Sequence, residues 1–237
     1  MPRKLALLFF LLAAQPLFAQ IADNSFLVEE AYNQEPGVVQ HIMFFSHGTH
    51  GTDWVSTFTQ EWPVSSLSHQ LSYTLTGVRN EQERSLGDLA LNYRYQLLGN
   101  AEAPVAVSPR ISAVFSGDSG HLSSAQVFLP VSVAIGPRFV THWNGGVTLG
   151  TGRASWTAAQ SVIWLARPRF NPLIETVWTN GRDAHDLIVS PGVRWSHDTS
   201  RGLQIVPGIA LPISLRNGGD RSVIAYLSFE HAYRRSR

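Results

Sequence analysis

The chain has no cysteine, a single lysine, two methionines and, beyond its first twenty residues, no long apolar run. Each shortage excludes something. Without cysteine there can be no disulfide and no lipid anchor on a cysteine after a cleavage site, so an exported chain of this length has to be held by its secondary structure. With no stretch approaching eighteen consecutive apolar residues, helical membrane spans are excluded, and any membrane-embedded form has to be a closed barrel of strands. Charge of either sign is also scarce: once Lys4 and Arg3 are set aside with the N-terminal segment, sixteen arginines face seventeen acids. That balance argues against a nucleic-acid partner, which would call for a basic excess.

The first residues read as a targeting segment. Arg3 and Lys4 precede the apolar run Leu5 to Ala14, and Leu17, Phe18 and Ala19 stand before Gln20; a basic start, a short apolar stretch and small residues near the cut make a secretory signal over 1–19. The expected division is a signal peptide (1–19), an N-terminal periplasmic segment or plug (20–36) and a β-barrel (37–237). A helical turn or two is expected over Ser25–Glu35.

Most of the remainder alternates. In DLALNYRYQL, residues 88–97, the leucines and tyrosines Leu89, Leu91, Tyr93, Tyr95 and Leu97 fall on one face, and Asp88, Ala90, Asn92, Arg94 and Gln96 on the other. Segments of this kind recur with cores near 37–45, 53–63, 68–78, 87–98, 103–115, 126–136, 138–148, 158–167, 169–179, 185–196, 203–213 and 222–233. The expected fold is therefore all-β: a transmembrane antiparallel β-barrel of about twelve strands with a short N-terminal periplasmic segment.

Which face is wet decides between a soluble sandwich and a membrane barrel. The second face often mixes ionised groups with small residues, as in Asp186, Ser190 and Arg194, which suits a narrow polar lumen. Tyr and Trp recur near strand ends (Trp54, Trp62, Tyr95, Trp143, Trp178, Trp195, Tyr233), as two membrane interfaces would require. With a periplasmic N-terminus, the connections expected to face outward (46–52, 79–86, 116–125, 149–157, 180–184 and 214–221) are read as long, against short inner turns near 63–67, 99–101, 136–138, 168 and 197–202. Val223, Ala225, Leu227, Phe229 and Tyr233 give the last strand an apolar face like the terminal signal read by barrel-assembly machinery, although the tail 234–237 departs from it. Pro109, Pro130, Pro191, Pro207 and Pro212 fall within expected strands, against the pattern, since each removes a ladder donor.

FLVEEAYNQEPGVVQHI at 26–42, WVSTFTQEWPV at 54–64, HQLSYTL at 69–75, GDLALNYRYQLLG at 87–99 and QSVIWLARPRFNPLIE at 160–175 resemble a family of bacterial outer-membrane proteins known as meta-pathway phenol-degradation proteins, often called transporters. The resemblance covers most of the chain after the signal. It implies an outer-membrane barrel and brings no catalytic residues with it.

Four motifs invite chemistry and have plainer accounts. GDSG at 117–120 is like the nucleophile segment of chymotrypsin-like proteases, but His121 follows, and Asp, Ser and Gly are turn residues. His47, His50 and Asp53 have the spacing of a metal clasp on a glycine-rich loop that gives it no rigid frame. His142 with Asn144, and His69 with Ser68, lack a nucleophile, base and orienter at working distances. The reading is of a non-enzyme without cofactor or metal.

The residues expected to line the lumen, and to meet any ligand, are Asp88, Asn92, Arg94, Arg110, Arg169, Glu175, Asp186, Arg194 and Glu230. Glu29 and Glu30 either form a solvated periplasmic face or reach inward as a plug to pair with Arg94, Arg110 or Arg194. Two functions stay open: passage or binding of a small, hydrophobic or aromatic molecule, and a structural or surface barrel with a closed lumen. The first is favoured, because charges kept in a lumen without a task are costly. The expected partners are outer-membrane lipid, the assembly machinery and a small-molecule ligand.

Overall fold

The computed structural model describes residues 24–79, 84–150, 153–181, 185–199, 203–216 and 218–232. The signal-peptide reading, Tyr233 and the tail therefore lie outside the described residues. Twelve antiparallel strands form one sheet: β1 (Val38–Gly48), β2 (Trp54–Val64), β3 (Ser66–Arg79), β4 (Arg84–Tyr95), β5 (in two pieces, Val105–Val107 and Arg110–Phe115), β6 (Leu122–Ile135), β7 (Phe139–Gly150), β8 (Arg153–Trp164), β9 (Phe170–Gly181), β10 (His185–Trp195), β11 (in two pieces, Gln204–Ala210 and Ile213–Ser214) and β12 (Ser222–Ala232). Each pairs with its neighbours in sequence, and β12 returns to β1 from Val38 opposite Ala232 to Gly48 opposite Ser222. The sheet is thus closed and leaves no edge. Among the described residues there is no helix.

Alternation sorts the wall into two faces. Met43, Phe45, Leu71, Leu91, Ile111, Val127, Leu129, Trp143, Trp156, Ile174 and Ile209 are exposed on the outside, while Gln40, Gln70, Ser132, His142, Ser161, Glu175, Ser190, Arg194 and Ser228 are buried inside. This is a globular protein turned inside out, with an apolar exterior and a polar interior. Ser56 and Gln60, which share the outer face with Phe58 and Trp62, break the pattern. Gln60 is accommodated because its Oε1 accepts the Tyr73 hydroxyl at 2.8 Å. Near the rim that carries both ends of the barrel, two further outward polar pairs are formed: His69 Nδ1 with the Tyr93 hydroxyl at 2.6 Å, and His41 with His231 at 3.1 Å.

Four of the five prolines that sit badly in the sequence gather at two breaks of the ladder, while Pro207 stays within β11 opposite Leu227. β5 breaks at Ser108–Pro109, across from Pro130 in β6, and β11 breaks at Leu211–Pro212, across from Pro191 in β10. Missing donors are concentrated where the ladder is already interrupted, and other bonds bridge the gaps: Ser108 N–H to Pro130 O at 3.1 Å and Leu211 N–H to Pro191 O at 2.9 Å.

Two expectations are corrected here. The contrast in loop length is absent, because strand pairing runs on through residues read as loop: Ser124 pairs with Gly150, β3 reaches Arg79 and β4 starts at Arg84. The longest stretch between strands on the terminal rim, 96–104, exceeds every outward one. Residues 25–35 also form no helix. Their N–H groups are taken by side chains of the wall, which leaves none for a helical ladder.

Candidate functional site: a lumen crossed by the N-terminal segment

Residues 24–36 run inside the barrel, and the wall satisfies their backbone almost residue by residue. Glu175, fully buried on β9, accepts three consecutive N–H groups on its Oε1: Phe26 at 3.0 Å, Leu27 at 2.7 Å and Val28 at 3.1 Å. Three successive donors converging on one carboxylate make an anion nest. Further along, Glu29 N–H reaches Asn144 Oδ1 at 2.7 Å, and Asn144 Nδ2 returns a bond to the Glu29 carbonyl at 2.8 Å. Ala31 N–H donates to Ser132 Oγ at 2.8 Å, Asn33 N–H to Gln96 Oε1 at 2.9 Å and Gln34 N–H to Gln70 Oε1 at 2.6 Å. The carbonyls are met as well, Asn24 by Arg194 Nη1, Tyr32 by Arg94 Nη1 at 2.9 Å and Ala31 by Gln96 Nε2 at 2.8 Å.

Apolar contacts seat the two ends. Phe26 meets Tyr226 edge to face at 5.3 Å between ring centres and packs with Leu27, Ile42 and Phe44 on the cluster Ala210, Ile224 and Tyr226. Its ring fits only because positions 192 and 208 are glycine: a Cβ at either would stand 2.6 or 2.5 Å from it. At the other end Ala31 and Tyr32 pack on Ala106. The Arg194 guanidinium lies 4.8 Å from the Tyr226 ring centre and 5.7 Å from that of Phe26, within cation–π range of both.

The charges gather at the middle of the segment. Arg110 grips Glu29 with two edges, Nε to Oε2 at 2.9 Å and Nη2 to Oε1 at 2.7 Å, and Arg94 Nη2 adds a contact at 3.3 Å. Glu30 lies 3.8 Å from Arg94. Burial pushes the Glu29 carboxyl up, but the Arg110 and Arg94 guanidiniums beside it more than reverse this and hold it below the ordinary carboxylate value. Beyond this floor, toward the rim opposite the chain ends, lies a cavity of about 440 Å³. Its wall combines Ile42, Phe44 and Tyr226 with Thr57, Thr59 and Thr74, and its floor is residues 24–30 with Arg94 and Arg110.

The residues singled out from sequence fall into three groups. Asn92, Arg94, Arg110, Glu175, Arg194 and Glu230 point inward and lie about the segment, and Asp186 accepts the Ser214 hydroxyl at 2.6 Å on the inner face nearer the far rim. Asp88 and Arg169 stand apart from the lumen. Asp88 is exposed and meets the Gly117 N–H at 3.4 Å; Arg169, with its side chain 63% exposed, pairs with Asp198 at 3.2 Å in the turn before β9. Arg169 precedes its strand, and Asp88 sits at a register shift of β4, between the pairs Leu75–Leu89 and Gly77–Leu86 and beyond the last pair with β5; at neither does alternation separate lumen from solvent.

Gln70, Gln96, Ser132, Asn144 and Ser161 also hold the segment and lie beyond the set expected from sequence. Their inward parity was the signal that could have found them. GDSG forms the exposed turn 116–121, closed by Gly120 N–H to Ser116 O at 2.8 Å with Gly120 at φ +68°. His47, His50 and Asp53 are exposed, and among the described residues no group of three or more His, Asp or Glu is placed to hold a metal. His142 lies 2.7 Å from Ser132 Oγ, but that oxygen is already engaged by the Ala31 N–H and both residues are fully covered.

Several solved structures with similar folds are porins. The NanC porin superposes with a TM-score of 0.62 at 11% identity, covering 80% of this chain and 98% of that one. The KdgM porin in complex with disordered oligogalacturonate gives 0.59 at 8% identity, over 83% and 99%. This chain has the fold of an outer-membrane porin. A channel from the outer membrane of Pseudomonas putida F1 agrees, with 0.57 at 11% identity over 85% and 97%. No protein-family model and no curated protein matches the chain. At these identities the likeness to porins is one of fold, and the lumen contents of this chain have to be read from its own residues.

Proposed function

We propose that this porin-like barrel spans the outer membrane, with both chain ends at the periplasmic rim, and passes or binds small solutes under the control of its own N-terminal segment. The observation that carries this reading is the hydrogen bonding of 24–36 to the wall. A wall built only to hold a shut barrel could be filled with apolar side chains at less cost in desolvation. Here the segment is held through side-chain acceptors such as Glu175, Asn144 and Ser132, which exchange readily for water when it leaves. It behaves as a removable plug, with Glu29 and Glu30 as its charged contacts.

The solute we infer is small and partly apolar. The resemblance to phenol-degradation barrels favours such a cargo, and so does the mixture of Phe44, Tyr226, Ile42 and threonines around the cavity. The porin-like neighbours are not enzymes by name, and the covered Ser132–His142 pair reads as part of the plug's seat. Outer-membrane lipid would meet the apolar exterior.

Reconstitution of the chain into liposomes tests this. Uptake of neutral and aromatic solutes is expected to be low for the complete chain and to rise severalfold when 24–35 are deleted. If the deleted form is folded and admits no solute, the passage reading fails and a structural barrel with a closed lumen takes its place.

A further inference from the structure

At the floor of the cavity two arginines of the wall close on a carboxylate of the inner segment. Arg94 comes from β4 and Arg110 from β5, so both belong to the wall, whereas the carboxylate between them belongs to the removable segment. Arg110 holds that carboxylate by the paired geometry that suits any carboxylate, two parallel N–H bonds to two oxygens. Arg94 is only partly satisfied by it. One contact to Glu29 is 3.3 Å long, Glu30 stays at 3.8 Å, and Arg94 Nε has no acceptor among the described residues. Both guanidiniums line the cavity, as does Glu29 itself, whose side chain is 32% exposed.

If the segment leaves, Arg110 loses its paired carboxylate and Arg94 loses its contacts to Glu29 and the Tyr32 carbonyl, with Glu61 on the wall of the same cavity left to offset part of the charge, so that an anion in the vacated place is favoured. We propose that Arg94 and Arg110 form a receptor for the carboxylate of a small solute with an apolar body, and that Glu29 holds this receptor as an internal competitor of that solute. The inference rests on the reading of 24–36 as a plug and adds the chemical class of the solute. The apolar body is placed by Phe44, Ile42 and Tyr226, which flank the same cavity, and the threonine hydroxyls between them offer secondary hydrogen bonds. Ligand and plug then bind in opposition: a carboxylate entering the cavity weakens the hold of Glu29, and removal of Glu29 strengthens the hold on the carboxylate.

The test uses benzoate as probe and benzamide as its neutral counterpart, with the full chain folded in detergent and its folding verified by heat-modifiable migration. Equilibrium titration is done on the native chain, on Glu29→Gln and on Glu29→Gln combined with Arg110→Gln. Benzoate is expected to bind Glu29→Gln at least about tenfold more tightly than the native chain, the scale of one charge-assisted hydrogen bond regained. The added Arg110→Gln should abolish that gain, and benzamide should not distinguish the three. Equal benzoate affinity for the native chain and Glu29→Gln, or benzamide binding as tightly as benzoate, overturns the receptor. Solute uptake by liposomes holding the same proteins separates this result from the passage reading. Benzoate binding without uptake by any variant leaves the receptor and removes passage; uptake without benzoate preference leaves passage and removes the receptor.

Discussion

The ring of Phe26 occupies the space that a side chain at Gly208 would need: a Cβ there would lie 2.5 Å from one ring carbon and 2.6 Å from another. Two residues 182 positions apart are thus fitted to one another, the one on the inner segment and the other on β11 of the wall. Gly192 on β10 forms the other side of the same slot.

This fit gives a compensation test. Gly208→Ala should push Phe26 from its seat and raise ion conductance in planar bilayers, while Phe26→Ala should raise it by removing the anchor. The double variant should not exceed either single change by much, because both act on one contact. Additive increases would mean that the two residues do not meet.

Glu175 supplies the largest backbone anchor. Glu175→Ala leaves the N–H groups of Phe26, Leu27 and Val28 without their acceptor, at a cost of roughly 1–3 kcal/mol for each one left buried. The segment is therefore expected to leave the lumen, and the barrel to conduct while keeping its heat-modifiable shift. Glu175→Gln, which retains an acceptor oxygen, should be intermediate. A closed Glu175→Ala barrel would assign the anchoring to other contacts.

The Glu29 carboxyl is held below its ordinary value by Arg110 and Arg94, so the ion pair contributes fully at neutral pH and is lost as pH falls through that lowered value. Its contribution to closure should begin to weaken as pH falls through the ordinary carboxylate range, about pH 4–5, where the released segment takes up a proton, and be gone below the lowered value. Glu29→Gln should lack that low-pH transition. Conductance recorded against pH for the two proteins measures the difference, and identical profiles would remove Glu29 from the closure.

Inside and outside can be checked directly, since the chain offers no competing thiol. Leu91→Cys, at a position 48% exposed on the outer face, should react with a lipid-phase maleimide, and Asn92→Cys, on the inner face of the same strand, should not. The reverse result would turn the barrel's faces over.

The barrel was legible because its determinant is local. In residues 88–97 each side chain alternates without error, and a period of two assigns a face to every position between strand ends. The same rule put Arg94, Glu175 and Arg194 inside. It gave out at Arg169, which lies outside its strand, and at Asp88, which lies at a register shift in β4, because parity carries no information at either place. The path of 24–36 was harder to see, since its sequence has no period and its conformation is imposed by partners such as Glu175, 148 residues from Leu27. What could be read there was charge: Glu29 and Glu30 were natural partners for inward arginines. The glycines at 192 and 208 fit ordinary strand positions, and only the ring lying against them reveals their use.

The central claim is that residues 24–36 lie across the lumen and bar it. Ser25 and Ser161 hold their hydroxyl oxygens 2.7 Å apart, one on the segment and one on β8. In a chain without native cysteine, Ser25→Cys with Ser161→Cys allows a single crosslink, and the most direct measurement is single-channel conductance of that double variant before and after reduction. The crosslink is expected to form in the folded barrel, to keep it closed when oxidised even at the low pH that releases Glu29, and to restore native behaviour when reduced. A folded barrel in which these cysteines do not join under oxidant, or one that conducts freely with the crosslink in place, would contradict the account.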